Sequence, residues 1–431
     1  MVKRLDFQSK NFNKDLDELL TSKRELDSDV HDAVASIIAD IRDRGDAALL
    51  ALTLEFDNLE CQKVSDLAVS QSEMVAALNA LDKDLRAALE LAAERIFTFH
   101  EKQLPQDFSY QDQAGVELGM RYTPVDSAGL YVPGGKAAYP SSVLMNAIPA
   151  MVAGVNRRVL VAPARKGQVS QLVLAAAAIA GVSEVWCIGG AQAVAALAYG
   201  TETIERVDKV VGPGNAFVAA AKRQVFGQVG IDSIAGPSEI LLVADANNNP
   251  YWIAADLLSQ AEHDEAAQSI LITDDTAFAD AVAAAVETIF PQLDRADVAR
   301  QSWSNNGAII TVDTMDEMPG IANKIAAEHL ELALEDAVTW SRKIRHAGAI
   351  FMGRYTPEAI GDYVAGPNHV LPTARTARFS SGLGVADFMK RTTTVNCDVD
   401  SFAAIAPAGI AIADAEGLGA HALSMRIRMN R

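Results

Sequence analysis

The stretch Gly129-Leu130-Tyr131-Val132-Pro133-Gly134-Gly135 has the pattern of a short buried strand that runs into a glycine turn. A helix is predicted next, because Pro140-Ser141-Ser142 can open one and residues 143–152 are mostly apolar. The alternation continues with apolar strands at 158–163, 184–188 and 209–211, separated by helices and glycine turns. Near-continuous apolar strands of this kind predict a parallel α/β sheet, with ligands beyond the carboxyl ends of the strands.

The α/β pattern restarts near residue 235, with predicted strands at 240–243, 269–273 and 308–312. Residues 1 to about 110 have helical apolar spacing, and beyond Arg375 the α/β alternation becomes irregular. At 431 residues the chain is long enough for more than one core. We therefore predict a helical N-terminal region over 1–115 that packs on the first α/β domain, α/β domains over 116–234 and 235–375, and a C-terminal arm over 376–431.

Composition excludes several classes of protein. The formal charge of −19 and the lack of a basic block argue against a nucleic-acid partner. Three distant cysteines, Cys61, Cys187 and Cys397, fit a reducing compartment without disulfides. The N-terminus turns polar at once and the longest apolar run, 172–182, is too short to cross a bilayer. We expect a cytoplasmic protein with no membrane partner.

Gln260 and His263 lie three residues apart in a run with helical apolar spacing, which would place both side chains on one face. Two such side chains form half of a metal site, although they can equally cap or line an ordinary buried helix. Asp362, in the glycine-bounded loop 361–369, and His421 would complete a set suited to zinc. Solvent exposure is the simpler interpretation of His421 alone.

Glu328 and His329 lie where a predicted helix gives way to an alternating apolar run, a junction that we expect to be exposed. An adjacent carboxylate and imidazole could divide two proton-transfer tasks, but a pair at a helix end is more often a cap. No G-x-G-x-x-G fingerprint is present, so spacing does not indicate NAD. The glycine turns could bind phosphates through their N–H groups or be structural only.

Together these residues resemble the histidinol dehydrogenase family, and the match covers essentially the whole chain. The motifs that carry the resemblance are Gly129–Gly135, Gly189–Ala193, Gly212–Phe217, Ala235–Glu239, Leu258–His263, Ala327–Leu330, Gly361–Tyr363, Gly366–Pro372 and Glu416–His421. The resemblance implies a zinc- and NAD-dependent oxidoreductase that converts L-histidinol to L-histidine through an aldehyde, L-histidinal, with two NAD reduced, in the last steps of histidine biosynthesis.

The resemblance also implies roles for individual residues. It makes Glu328 and His329 the acid–base pair, and Tyr131, Gln192 and Asn215 the NAD contacts. The implied zinc ligands are Gln260, His263, Asp362 and His421, which also touch the substrate together with Ser238, His329, His369 and Glu416.

The implied fold is two incomplete Rossmann-like, aldehyde-dehydrogenase-like domains with parallel sheets. A C-terminal dimerisation arm would bring His421 to the partner's site in a homodimer. Three alternatives stay open: a dehydrogenase of the same family acting on another alcohol, such as a sulfonated one; a zinc hydrolase; and a noncatalytic metal-binding scaffold.

Overall fold

The computed structural model describes residues 2–21, 28–134, 138–164, 168–234 and 236–429. Gly135, which ends the stretch 129–135, and Ala235, at the predicted border between the α/β domains, lie outside the described residues. The described strands are β1 (Lys3–Asp6), β2 (Ala68–Val69), β3 (Phe108–Gln111), β4 (Glu117–Pro124), β5 (Ser127–Tyr131), β6 (Arg157–Val161), β7 (Glu184–Trp186), β8 (Lys209–Val211), β9 (Gly230–Ile231), β10 (Glu239–Ala244), β11 (Gln268–Thr273), β12 (Ala308–Thr311), β13 (His329–Ala333), β14 (Ala349–Met352) and β15 (Met389–Asn396).

The helices lie between these strands and beyond them. They are α1 (Phe12–Thr21), α2 (Ser28–Arg44), α3 (Asp46–Asp57), α4 (Gln71–Asn79), α5 (Lys83–Glu101), α6 (Pro140–Val152), α7 (Gln171–Ile179), α8 (Gly190–Tyr199), α9 (Ala216–Val225), α10 (Pro250–Ala261), α11 (Thr276–Ile289), α12 (Ala296–Asn306), α13 (Met318–Ile325), α14 (Ala337–Ser341), α15 (Glu358–Tyr363), α16 (Val399–Ala415) and α17 (Gly419–Met429). None of them, in the described ranges, has the length and apolar content that a membrane crossing requires.

The first sheet has the strand order β2-β7-β6-β5-β8-β9. Its pairs are parallel except for the antiparallel pairing of the short β2 with β7. All five residues of the inner strand β5 are buried, as expected when helices cover both faces of a parallel sheet. This sheet and helices α2–α9 share one large apolar core, which confirms the parallel α/β prediction for this part of the chain.

The second sheet is parallel throughout, with the order β1-β12-β11-β10-β13-β14. Apolar residues pack on both of its faces, in one cluster with α10, α11 and α12 and in another with α1 and α13. Its central strands, β10 and β13, are buried at every residue. Both sheets thus have the layered arrangement that the alternating pattern predicts.

The N-terminal region is not one helical unit. Lys3–Asp6 forms the edge strand β1 of the second sheet, in parallel register with Ala308–Thr311 of β12. The apolar face of α1, which includes Leu16 and Leu20, packs in the core of the second sheet. The prediction that all of residues 1–115 pack on the first α/β domain is therefore wrong for residues 3–21, because their partner strand lies some 300 residues later and leaves no local signal.

The C-terminal arm contains more regular structure than its loose pattern indicated. Strand β15 pairs antiparallel with β4, which also pairs with β3, and the three form a separate small sheet. Two helices follow, and many of their large apolar side chains are exposed, among them Val399, Ile412, Leu423 and Ile427. The arm therefore has an apolar surface that the described part of this chain leaves uncovered.

Candidate active site

Glu328 and His329 lie at the amino end of β13, deep inside the second sheet. Their exposed fractions are 6% and 3%, so the prediction of an exposed junction is wrong. The reason is that β13 is an inner strand, paired with β10 on one side and β14 on the other. The residues after His329 look alternating in sequence, yet all of them are buried, Glu331 included.

The hydrogen bonds of His329 fix which ring nitrogen is free. Nδ1 lies 3.0 Å from the backbone oxygen of Glu239, and a carbonyl oxygen only accepts, so Nδ1 carries the proton and donates it. Nε2 then presents a lone pair, and among the described residues it has no hydrogen-bond partner although it is buried. Burial lowers the pKa of the imidazole to about 4, against the opposing effect of the Asp362 carboxylate. The ring is therefore neutral and able to accept a proton at Nε2.

Glu328 is held against the same strand end. Its Oε2 accepts the backbone N–H of Glu239 at 2.9 Å and lies 3.7 Å from His329 Nδ1. Burial raises the pKa of the Glu328 carboxyl well above its usual value, and the nearby Glu239, Glu358 and Asp362 carboxylates add to that effect. A carboxyl with a raised pKa is a stronger base than a solvated one when it is ionised.

Gln260 and His263 come together as predicted, although not on one helix. Helix α10 ends at Ala261 and His263 lies in the turn that follows. Gln260 Nε2 and His263 Nδ1 are nevertheless 3.4 Å apart, because the turn that follows α10 brings the His263 side chain next to that of Gln260. Gln260 is fully buried, whereas His263 is exposed.

Asp362 lies on the short helix α15, so its predicted loop location is wrong. A Cβ added to Gly361 would lie 2.4 Å from Cε1 of Phe351, so only glycine lets this helix approach strand β14 so closely. Asp362 Oδ1 is 3.7 Å from His369 Nδ1 and 4.0 Å from His329 Nε2. Burial lowers the pKa of His369, whose Nδ1 also lies 3.1 Å from the Asp362 backbone oxygen.

The donor atoms at this point fit a metal ion. One ligand atom from each of His329, Glu358 and Asp362 lies within 4.8 Å of the others. Within the part of the chain that the structure describes, Gln260 Oε1, His329 Nε2 and Glu358 Oε1 are buried without a hydrogen-bond partner, which is energetically costly unless a cation or a ligand meets them. Carboxylate oxygens, an amide oxygen and imidazole nitrogens are ligands that zinc accepts. Glu358 was not among the predicted ligands, because Pro357-Glu358 resembles an ordinary acidic helix start.

Tyr131, Gln192 and Asn215 belong to the first sheet and its helices. The Tyr131 hydroxyl accepts the Gly190 N–H at 3.1 Å, and Gln192 Nε2 donates to Asp57 Oδ2 at 3.3 Å. The Asn215 side chain accepts the Val218 N–H and caps α9, while remaining exposed. Asp57 was not predicted, since it ends a helix more than seventy residues before Tyr131 with no motif around it.

The turn that precedes Asn215 depends on glycine. Gly212 has a φ of +111°, and a Cβ there would lie 2.1 Å from the Tyr131 backbone oxygen. Tyr131 and Gly212 lie at the carboxyl ends of neighbouring strands, β5 and β8, where the sheet rule places ligands. The Glu328–His329 end of the second sheet departs from that rule, because both residues lie at the amino end of β13.

The segment 364–369 joins the two halves of the site. Asn368 Nδ2 donates to the backbone oxygen of Met145 at 2.6 Å, and His369 Nε2 lies 3.5 Å from Ser142 Oγ, both on α6 of the first sheet. The residues gathered around His329 therefore face the domain that carries the predicted NAD contacts.

Ser238 adjoins this cluster, since the backbone of the next residue, Glu239, hydrogen-bonds Glu328 and His329, whereas Glu416 and His421 are not brought into it. Ser238 precedes β10, and its backbone oxygen accepts the Gln268 N–H. Glu416 and His421 are exposed on the C-terminal arm, and no hydrogen bond or ion pair joins them to the cluster within the described ranges. A single chain therefore gathers Gln260, His263, Asp362 and His369 around His329, but not His421.

The comparisons with known proteins agree on one family. A family model described as histidinol dehydrogenase matches residues 20–429. The histidinol dehydrogenase of Rhodospirillum rubrum is 60% identical over 432 residues, covering 100% of this chain and 99% of the relative. That of Rhizobium meliloti is 58% identical over 430 residues, covering 100% and 99%. The chain belongs to the histidinol dehydrogenase family.

A solved structure of histidinol dehydrogenase from Elizabethkingia anophelis has the same fold, with a TM-score of 0.94 and 34% identity, covering 100% of this chain and 98% of that one. Membership of the histidinol dehydrogenase family confirms the resemblance that the nine motifs carry, and it makes the chain an oxidoreductase. The roles of individual residues and the borders of the domains remain predictions.

Proposed function

We propose that this chain oxidises L-histidinol to L-histidine through L-histidinal, reducing two NAD. The observation that supports it most is the buried, neutral His329, whose unpartnered Nε2 faces the cluster of donor atoms. An alcohol loses hydride readily only as its proton leaves, and His329 Nε2 is the group placed to take that proton. The same nitrogen would serve again in the second oxidation, when the hydrated aldehyde loses its proton.

Gln260, His263 and Asp362 would hold zinc, with His421 from a second copy of the chain as the fourth ligand. When bound, zinc supplies a fixed positive charge that orients the substrate's nitrogen atoms, and NAD, held by Tyr131, Gln192 and Asn215, accepts the hydride. The buried oxygen of Gln260, which lacks a hydrogen-bond partner, supports this ligand set.

Glu328 would activate the water that adds to the aldehyde. Burial, the main cause of its raised pKa, makes the ionised carboxylate a stronger base toward water than a solvated one. Ser238, His369 and Glu416 would contact the substrate. His369 is held in place by Asp362 and lies near Ser142, so it could recognise a polar group at the domain junction.

The active form would be a homodimer. The exposed apolar side chains of α16 and α17 are unusual for helices that face water, and a second copy of the chain is the partner that would cover them. In such a dimer the exposed Glu416 and His421 would reach the neighbour's cluster, which would account for their lying outside the cluster of their own chain.

The test is NAD reduction with L-histidinol at neutral pH, counted per substrate consumed, before and after chelation and zinc restoration. Two NAD reduced per histidinol, lost on chelation and regained with zinc, is the expected result. Turnover of a sulfonated or other alcohol instead of histidinol would overturn the substrate. Amide cleavage without NAD reduction would favour a hydrolase.

A further inference from the structure

Two buried or half-buried carboxyl groups, Asp256 and Glu331, lie next to Glu358, a third carboxyl that belongs to the donor cluster itself. Asp256 precedes Gln260 by four residues on α10, and Glu358 precedes Asp362 by four residues on α15. Glu331 follows His329 by two residues on β13. Because side chains recur on one face every four residues in a helix and every two in a strand, each carboxyl shares the face of one site residue.

The three carboxyls connect their elements to one another. The Asp256 and Glu331 carboxyls are hydrogen-bonded to each other, which requires that they share a proton. Glu331 Oε2 accepts the backbone N–H of Glu358 at 3.4 Å, at the start of α15. The Ser259 hydroxyl, on α10, donates to Glu358 Oε2 at 3.2 Å. Glu331 therefore bridges α10, β13 and α15 from inside the protein.

The surroundings of the Asp256–Glu331 pair favour a protonated bridge. Burial raises the pKa of Asp256 to about 6 and that of Glu331 well above its usual value. Glu331 is 2% exposed, and ionising both members of the pair would place two like charges side by side away from water. The connection between the elements follows from the contacts themselves, since Glu331 reaches the backbone of α15 and the Ser259 hydroxyl of α10 reaches Glu358.

We propose that Asp256 and Glu331 are positioning residues, whose carboxyl bridge sets the relative positions of Gln260, His329 and Asp362. Neither residue touches the donor cluster through its own carboxyl in the way that Glu358 does. The bridge acts through the start of α15 and through α10, the elements that bear Asp362 and Gln260. The inference rests on the proposed function insofar as those three residues form the site.

The test compares Glu331→Gln with Glu331→Met. Glutamine keeps the bridge, because its amide donates to the Asp256 carboxylate and its carbonyl accepts the Glu358 N–H. Methionine has a similar length and makes neither hydrogen bond. In metal-free protein we expect Glu331→Met to speed hydrogen exchange of peptide 358–365 by about tenfold and to raise the zinc Kd by about tenfold, the scale of one lost buried hydrogen bond. Glu331→Gln should stay within about threefold of wild type in both.

Leu332→Met is the matched control, since Leu332 lies next to Glu331 on β13 but packs in the core on the opposite face. Asp256→Ala is the second variant if Glu331→Met does not fold, because Asp256 is only partly buried and its loss removes the other half of the bridge. Asp256→Ala should weaken zinc binding and speed the hydrogen exchange of peptide 358–365, as Glu331→Met does.

Three results would overturn the proposal. Glu331→Met could melt at a lower temperature while its zinc Kd and its exchange at 358–365 match wild type, which would make Glu331 merely structural. Leu332→Met could equal Glu331→Met in both measurements. Glu331→Gln could be as impaired as Glu331→Met. Hydrogen exchange and zinc binding need no substrate, so failure of wild type to oxidise histidinol would overturn the proposed function and leave this test intact.

Discussion

Replacing Lys222 with methionine tests the buried support beneath the turn that leads to Asn215. The Lys222 ammonium donates to the backbone oxygen of Gly212 at 2.9 Å and forms an ion pair with Asp232. Asp232 Oδ2 in turn accepts the Gly212 N–H at 2.8 Å. The two charged side chains are only 2% and 4% exposed. Lys222→Met would leave the Asp232 carboxylate without its buried ion-pair partner and the Gly212 backbone oxygen without its hydrogen-bond donor from Lys222.

The expected loss follows from this burial. Removing one partner of a buried ion pair costs roughly 3–5 kcal/mol, since an uncompensated charge remains. At about 2–4 °C per kcal/mol for a domain of this size, the thermal transition of the first-sheet domain should fall by roughly 6–20 °C. Lys222→Met with Asp232→Asn should recover most of that loss, because asparagine still accepts the Gly212 N–H and no buried charge remains.

The assay is differential scanning calorimetry of wild type, both single variants and the double variant, with the KM for NAD measured below the melting range. We expect Lys222→Met to raise that KM, because Gly212 and Asn215 belong to one turn. A melting temperature within about 2 °C of wild type would refute the structural reasoning. A double variant that is no more stable than Lys222→Met would also refute that reasoning.

Three further predictions concern the site, its electrostatics and the arm. His329→Gln should lower the rates of both oxidations by roughly 10²–10⁴-fold with zinc content unchanged by atomic absorption, and full activity would remove His329 as the base. Burial raises the pKa of Glu358 to about 8, so the fold favours its neutral form. Its stabilising contribution is therefore full below about pH 4 and is lost as pH rises to about 8, and Glu358→Gln should flatten the decline in melting temperature of metal-free protein between those limits. An unchanged slope would contradict that sign. Truncation after Asn396 removes α16 and α17 and should give a monomer by sedimentation that lacks histidinol oxidation, whereas a truncated dimer would place the interface elsewhere.

The elements that the sequence predicts best are the buried parallel strands. Strands such as β5 and β10 contain or adjoin uninterrupted apolar residues, at 130–132 and 240–244, and their burial on two faces leaves a local signature. Strands β1 and β15 lie at sheet edges and are mixed in polarity, and each pairs with a strand more than 250 residues away. Their pairing depends on tertiary contacts, which no local pattern records.

The same limit applies to the site. Glu328 and His329 look like a helix cap in sequence, because nothing beside them reveals that β10 and β14 enclose their strand. Glu331 and Glu358 look like ordinary surface acids, and their significance comes from three elements meeting at one point. The motif resemblance could indicate Gln260, His263 and Asp362, but it gave no reason to single out the carboxyls behind them.

The pairing of β1 with β12 has a consequence for synthesis of the chain. Residues 3–6 leave the ribosome some 300 residues before their partner Ala308–Thr311, an interval of roughly 15–60 s at about 5–20 residues per second. The first sheet, made entirely from residues 68–231, is complete long before that. During this interval the apolar face of α1, with Phe12, Leu16 and Leu20, has no core to enter. The segment that contains β1 and α1 is therefore a natural target for a chaperone that binds apolar segments, and the second sheet is complete only when β14, which ends at Met352 of the 431 residues, has emerged.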